Sequence, residues 1–171
     1  TIWSNRFKYK TSQSFQKIGS SIHIDKRLYE QDIAASIVHT QMLMKQKIIK
    51  SEDGNKIING LKKIKTQIDR GSFEFKEKYE DIHLNIEKAL FEIIGPSAGY
   101  LHTARSRNDQ VVTDFKLWIK KASNEILKDI SVVMKNLIKK AEKNIDTVMP
   151  GMTHLKNAQP ISFAHYLLSY F

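Results

Sequence analysis

The residues between Gly99 and Pro150 include neither glycine nor proline, the two residue types that most often interrupt a helix. Apolar residues recur there at steps of three or four, the spacing of one face of an α-helix. They are Val112, Phe115, Ile119, Ala122, Ile126, Ile130, Val133, Leu137, Ala141 and Ile145. The pattern predicts one helix of about 36 residues, roughly 54 Å long. A rod of that length is too long for a compact ball of 171 residues, so we expect a helical bundle, a coiled coil or an oligomer.

The rest of the chain also favours helix, because it contains only three prolines and seven glycines. We expect residues 1–20 to form an extended arm. Three shorter helices follow in the prediction, over about 25–47, 51–71 and 81–95. A second long helix is expected to begin near Pro160 and to be cut short at Phe171. The predicted fold is therefore all-α, with an N-terminal arm and small helical domain over 1–106 and the start of a central long-helix bundle over 107–171.

The composition excludes several classes of function. The net charge is +10, but the lysines are scattered beside acidic residues, as on solvated helix faces. Aromatic residues do not alternate with them as they do in base-stacking surfaces, so we expect no nucleic-acid partner. No apolar run reaches about 18 residues, so we expect no membrane span. Cysteine is absent and no apolar leader segment is visible, which favours the cytoplasm.

The segment from Gly99 to Gln110 does not have the pattern of a helix face. It places two arginines, an amide, a histidine and hydroxyl groups immediately before the long helix. Side-chain donors and the free N–H groups of a helix N-terminus together suit a carboxylate or a phosphate. The alternative is that Ser106, Asn108 or Asp109 only caps the helix while the arginines lie in solvent.

A second polar segment, residues 149–160, follows the long helix and carries a proline near each end. Thr153 and His154 offer a hydroxyl beside an imidazole, a pair suited to binding a substrate and moving a proton near neutral pH. Alternatively, His154 satisfies backbone groups in a turn between two helices. A weaker signal is Asp81 with His83, for which a helix cap at Asp81 is the simpler interpretation.

The remaining histidines are interpreted as structural; they are His23, His39 and His165. No pair of histidines stands at ligand spacing with a carboxylate, so we expect no metal. No glycine-rich phosphate loop follows a strand, which argues against a nucleotide site.

Two strings carry a resemblance to a known family. LHTARSRNDQVVTD begins at Leu101, and MPGMTHLKNAQPISFAH begins at Met149. Together they closely resemble the argininosuccinate lyases of the fumarase/aspartase superfamily. The opening from Trp3, SIHIDKRLYEQDI from Ser21 and EDIH from Glu80 fit the same family in the same order. Related lyases share the fold but not the RSRNDQ string.

The resemblance implies a mainly helical homotetramer that catalyses a reversible β-elimination, in which argininosuccinate gives arginine and fumarate. It also implies that no metal or organic cofactor is used. Such a reaction needs donors aimed at the substrate carboxylates, which become more negative in the transition state. It also needs an acid and a base on opposite sides of the bond that becomes double.

The resemblance also assigns roles to residues. His154 resembles the catalytic histidine, and Thr153 beside it resembles a threonine that contacts the substrate. The other matched residues would bind the substrate or orient the groups that bind it; they are Ser21, Asp81, His83, Ser106, Arg107 and Asn108. Each site of the family draws on three subunits, so Asn108 and His154 of one chain are expected to serve different sites.

One expected element is missing from the matched strings. The family's serine-bearing mobile loop, GSS-x-M-P-x-K-x-N, should lie well beyond residue 171. We therefore expect this chain to be an N-terminal portion that is inactive alone. Two alternatives stay open, namely a sister lyase acting on another fumarate adduct, and a non-catalytic helical oligomerisation module, either crystallin-like or a remnant.

Overall fold

A computed structural model describes residues 12–171 of the chain. The prediction for the opening from Trp3 lies outside the described residues. The chain forms two compact units, and the division between them falls after Trp118, within the longest helix. The predicted domain boundary between residues 106 and 107 stays a prediction.

Seven α-helices and two strands are found in residues 12–171. The helices are α1 (Gln13–Gly19), α2 (Ile22–Asp25), α3 (Tyr29–Lys45), α4 (Ser51–Asp69), α5 (Ile82–Ile94), α6 (Arg107–Glu142) and α7 (Phe163–Leu168). The strands are β1 (Val148–Thr153) and β2 (Lys156–Ser162). Short 3₁₀ turns occupy Lys26–Leu28, Glu77–Tyr79 and Gly95–His102. No helix in this part of the chain is long and apolar enough to cross a membrane.

Two predictions about the N-terminal region were wrong. Residues 1–20 were predicted to be an extended arm, but helix α1 lies in the described part of this segment. Ser12 caps the helix by accepting a hydrogen bond from the Phe15 N–H at 3.2 Å. The next helix begins at Ile22 rather than after Asp25, and a 3₁₀ turn separates it from α3. Asp25 does not cap that turn, because its carboxylate is used elsewhere.

The core of the first unit comes from α3, α4, α5 and the 3₁₀ turn that ends with His102. Its buried apolar residues include Ile33, Leu43, Ile57, Leu61, Ile64, Ile82, Ile86, Leu90 and Leu101. Gly60 allows α4 to approach α5 closely, because a Cβ at this position would lie 2.5 Å from the Leu90 Cδ1 atom. This packing holds α5 against α4, and several candidate residues lie at or before the N-terminus of α5.

The long helix is confirmed. It is α6, with 36 residues, and its first turns belong to the first unit. Most of its apolar stripe remains exposed, in contrast to α4 and α5. The exposed apolar side chains of this helix include Val112, Phe115, Ile119, Ile126, Ile130 and Val133. In the second unit, Ala141 packs against Ala164 and Leu167 of α7.

The polar segment links α6 to α7, as expected, but it does so as a β-hairpin, which was not predicted. Strands β1 and β2 are antiparallel, and Pro150 lies opposite Pro160. A proline cannot donate a backbone hydrogen bond, but both strands of a two-stranded ribbon are edge strands, where proline is tolerated. A helix does begin near Pro160, since α7 starts at Phe163 and runs to Leu168. That it is a long helix cut short at Phe171 stays a prediction. The hairpin aside, the fold is helical, as predicted.

Candidate functional site

Ser21 is attached to the N-terminus of α5. Its backbone N–H donates to the Glu80 carbonyl at 2.8 Å, and its hydroxyl donates to Asp25 Oδ2 at 2.6 Å. Asp25 Oδ1 in turn accepts from the Ile82 N–H at 3.1 Å. The segment that carries Ser21 is therefore held beside Asp81.

Asp81 caps α5, as the simpler interpretation predicted. Its Oδ1 atom accepts from the Leu84 N–H at 2.6 Å, and such a cap satisfies a donor that the helix leaves open. The other carboxylate oxygen lies 3.9 Å from Arg107 Nε. Asp81 thus links the start of α5 to the start of α6.

Arg107 is held by polar groups on two helices. Its Nη2 atom lies 3.0 Å from Glu87 Oε1 on α5, and its Nη1 donates to Gln110 Oε1 at 3.0 Å on its own helix. The side chain is only partly exposed. The alternative in which the arginines lie freely in solvent is therefore wrong for this residue.

Arg105 is also withdrawn from solvent. One Nη donates to the Ser36 hydroxyl at 3.1 Å, whereas its Nε and second Nη atoms are buried without a hydrogen-bond partner in residues 12–171. Burial lowers the pKa of Arg105, which nearby carboxylates such as Asp32 partly oppose. The site residues expected from the sequence did not include this arginine.

Ser106 and Asn108 stand at the exposed N-terminus of α6. The Ser106 hydroxyl accepts from the Asn108 N–H at 3.2 Å, and the Ser106 N–H donates to Asp109 Oδ2 at 3.3 Å. This reciprocal arrangement resembles a capping box. Ser106 therefore caps the helix, and the Asn108 side chain lies in the exposed first turn.

His83 lies in a buried cluster with two carboxylates. Its Nδ1 atom is 2.9 Å from Asp32 Oδ1 and 3.5 Å from Asp114 Oδ2. Gln110 Nε2 also donates to Asp32 Oδ1, through a short hydrogen bond. All four side chains are buried, so each depends on the others for polar partners.

The cluster shifts the pKa values of its members. Burial would lower the pKa of His83, but the hydrogen bond and charge of Asp32 outweigh burial and raise it. Burial opposes ionisation of Asp32, yet its hydrogen bonds, chiefly from His83, lower its pKa. Burial and the charge of Asp32 raise the pKa of Asp114 to about 8. At pH 7 the Asp114 carboxyl is therefore mostly neutral.

The donor atoms of Asp32, His83 and Asp114 lie within 4.8 Å of one another, a spacing that could hold a metal ion. The charge of Arg105 acts on both carboxylates. His83 Nδ1 faces the Asp32 carboxylate, which only accepts hydrogen bonds, so this nitrogen carries a hydrogen and has no lone pair free for an ion. These neighbours disfavour a cation. The expectation of no metal stays a prediction.

Thr153 and His154 lie in the second unit, at the end of the hairpin. Thr153 pairs with Lys156, which leaves His154 and Leu155 as a two-residue turn. Both turn residues have positive φ, 46° and 60°, as in a type I′ turn, which usually contains asparagine or glycine. His154 is exposed at this tip, so the alternative of a histidine in a helix–helix turn is wrong.

Within the first unit, hydrogen bonds and ion pairs connect the surroundings of Ser21, Asp81, His83 and Arg107. The residues that make these connections were not among the site residues expected from the sequence; they are Asp25, Asp32, Glu87, Gln110 and Asp114. Four of them lie within the matched strings, and Glu87 lies four residues after EDIH. One usable signal was the spacing of Gln110 and Asp114, four residues apart on the buried face of α6.

Known proteins resemble this chain along its whole length. The argininosuccinate lyase of Pelagibacter ubique is 59% identical over 169 residues, which cover 99% of this chain and 37% of that protein. The argininosuccinate lyase of Bartonella bacilliformis is 48% identical over 169 residues, which cover 99% of this chain and 36% of that protein. A solved structure of an EDDS lyase variant with bound fumarate is 27% identical in sequence, with a TM-score of 0.67. The match covers 95% of this chain and 32% of the EDDS lyase chain.

The chain thus spans little more than a third of the length of these relatives. The sequence model of one family, described as "Lyase", matches residues 5–171. This match extends over almost every residue, including both polar segments, and the chain therefore belongs to that lyase family.

Proposed function

We propose that the protein carrying this sequence is an argininosuccinate lyase, which eliminates fumarate from argininosuccinate to leave arginine. The observation that carries the proposal is the 59% identity to an argininosuccinate lyase over 99% of the chain. The matched stretch includes the residues around Arg107 and the hairpin that bears His154.

The start of α6 is suited to bind the succinyl carboxylates. A guanidinium has five N–H donors, and the contacts of Arg107 with Gln110 and Glu87 leave others available. Ser106 and Asn108 add polar groups at a helix N-terminus, where the backbone dipoles favour an anion. These donors would stabilise the negative charge that develops on the carboxylate when the adjacent C–H bond breaks.

The hairpin is suited to take part in proton transfer. In the elimination a base removes a proton from the carbon beside one carboxylate, and the electron pair of the C–H bond forms the new double bond. The C–N bond breaks, and its electron pair stays on the guanidinium nitrogen, which an acid protonates. We assign His154 to this acid–base pair and Thr153 to substrate binding, with Ser21, Asp81 and His83 as binding or orienting residues.

We further propose a homotetramer in which sites form from several subunits, located in the cytoplasm. The support is the apolar stripe of α6, where Ile126, Ile130 and Val133 are each about half exposed. A helix this long with an exposed apolar stripe is typical of a bundle. Ile126→Glu with Ile130→Glu should reduce the molar mass measured by light scattering, whereas Lys128→Glu should not. An unchanged mass in the double variant would contradict the assembly.

The enzymatic proposal is tested with the full-length polypeptide that carries this sequence. Release of fumarate is measured from argininosuccinate, adenylosuccinate, aspartate and malate, and we expect turnover of argininosuccinate alone. His154→Asn should lower kcat by about 10²-fold or more, which is typical for loss of an acid–base group. His165→Asn, at another exposed histidine, serves as the matched control. Near-normal turnover in the His154 variant would contradict its assigned role.

A sister lyase is the second candidate, because an EDDS lyase shares this fold at 27% identity. Turnover of another fumarate adduct in the same assay, without turnover of argininosuccinate, would favour it. Absence of turnover with every substrate, together with stable association through α6, would instead favour the non-catalytic helical module.

A further inference from the structure

We propose that Gln110 is a positioning residue, which connects the guanidinium of Arg107 to the buried Asp32–His83 pair and so fixes the direction of its free N–H groups. The consequence for catalysis rests on the proposed function. The connection itself rests only on contacts within the first unit.

The contacts form a continuous chain of hydrogen bonds. Arg107 Nη1 donates to Gln110 Oε1 at 3.0 Å, and Gln110 Nε2 donates to Asp32 Oδ1 through a short bond. The same Asp32 oxygen lies 2.9 Å from His83 Nδ1. Gln110 is 3% exposed and Asp32 is 1% exposed, so water does not replace a partner that is lost.

The chemistry of the partners fixes the orientation of the amide. A guanidinium can only donate hydrogen bonds, and an ionised carboxylate can only accept them. The amide of Gln110 therefore satisfies both neighbours in only one orientation, with Oε1 towards Arg107 and Nε2 towards Asp32. A glutamate at this position would place a second carboxylate against Asp32, and an apolar side chain would bond neither neighbour.

This arrangement holds the Arg107 side chain from two sides. Gln110 holds one Nη from the long helix, and Glu87 contacts the other Nη from α5. Two contacts at different nitrogens restrain the plane of a guanidinium as well as its position. The remaining donors then point in a set direction before any ligand binds, which lowers the cost of ordering the side chain on binding.

The sharpest test exchanges the amide and the acid. Gln110→Met and Gln110→Glu each interrupt the series of hydrogen bonds from Arg107 to Asp32. Each should lower kcat/KM by on the order of 10-fold to 100-fold. Asp32→Asn keeps an acceptor oxygen for Gln110, so its effect should be smaller. In the double variant Asp32→Asn/Gln110→Glu, the amide at position 32 can donate to the carboxylate at position 110. That carboxylate still accepts from Arg107.

We therefore expect the double variant to recover most of the kcat/KM that Gln110→Glu loses. Gln41→Met, at an exposed glutamine of α3, is the matched control and should be unchanged. Far-UV circular dichroism and urea unfolding establish that each variant is folded. If the wild-type protein is active, two results would overturn the inference. One is an unchanged kcat/KM in Gln110→Met, and the other is no recovery of kcat/KM in the double variant.

A second measurement does not depend on activity. In arginine-labelled protein, the Nε–H signal of Arg107, assigned through Arg107→Lys, should be shifted from that of exposed arginines. In Gln110→Met the Arg107 signal should move towards the position of the exposed arginines. In the double variant Asp32→Asn/Gln110→Glu it should return to its wild-type position. Inactive wild-type protein contradicts the proposed function, whereas an Arg107 signal that does not respond to Gln110→Met contradicts this inference.

Discussion

Asp32 Oδ1 and His83 Nδ1 lie 2.9 Å apart in the core of the first unit, although the two residues are 51 positions apart in the sequence. Both side chains are about 1% exposed. A buried charge is stable only when it is paired and hydrogen-bonded, so each of these groups depends on the other. The pair joins α3 to α5, and Gln110 connects it to Arg107 at the start of α6.

The first prediction concerns this pair. His83→Leu would leave the Asp32 carboxylate buried with one partner fewer, so we expect the free energy of unfolding to fall by about 3 to 5 kcal/mol. Urea unfolding measures the change. His23→Leu replaces an exposed histidine and should change stability by no more than about 0.5 kcal/mol. Similar losses in the two variants would show that the buried pair contributes nothing specific.

The second prediction concerns pH. The pKa of Asp114 is raised to about 8 in the folded chain from an ordinary value of 3.8. Between these values the folded chain binds a proton that the unfolded chain has released, so stability falls as pH rises through this window. The raised pKa of His83 acts in the same direction, because its contribution is lost as pH rises through its folded pKa.

Asp114→Asn keeps the shape of the neutral carboxyl but cannot ionise. We expect this variant to lose stability less steeply than the wild type between about pH 5 and about pH 9, and to be the more stable protein at the alkaline end. Urea midpoints across this range measure the two slopes. Asp53→Asn, at a carboxylate of α4 outside the cluster, is the control. Parallel curves for wild type and Asp114→Asn would show that Asp114 ionises normally in the folded chain.

The third prediction concerns the hairpin tip. Leu155 is 95% exposed and has φ of 60°, a conformation that glycine adopts at no steric cost. Leu155→Gly should therefore stabilise the hairpin by about 1 kcal/mol, seen as slower amide hydrogen exchange in β1. Met152→Gly, at an exposed strand position of the same hairpin, should have the opposite effect. Faster exchange in Leu155→Gly would mean that the turn stores no strain.

The fourth prediction concerns the contact of α4 with α5. Alanine favours helix over glycine by about 1 kcal/mol, so Gly60→Ala would stabilise an isolated helix. Here the new methyl would lie 2.5 Å from Leu90 Cδ1 and 3.3 Å from Ile94 Cγ2, inside a packed core. We expect a net loss of about 1 to 3 kcal/mol in urea unfolding. Gly19→Ala, where no atom lies within 4 Å, should show no such loss.

The sequence by itself determined the long helix, the cap of α5 and the family. The 36-residue length of α6 follows from a regular apolar period without glycine or proline, and Asp81 caps α5 because an aspartate there can accept from the N–H three residues on. Both features depend on contacts between near neighbours in the chain. The two polar segments were recognised from their unusual residue types.

Tertiary structure decided which distant groups meet. The cluster of Asp32, His83, Gln110 and Asp114 forms only because α3, α5 and the first turns of α6 belong to one unit, and no local spacing encodes that contact. The hairpin was missed because its two positive-φ residues are histidine and leucine rather than turn formers. Backbone pairing between β1 and β2 outweighs the preference of these two residues for negative φ. His154 therefore lies in an exposed turn.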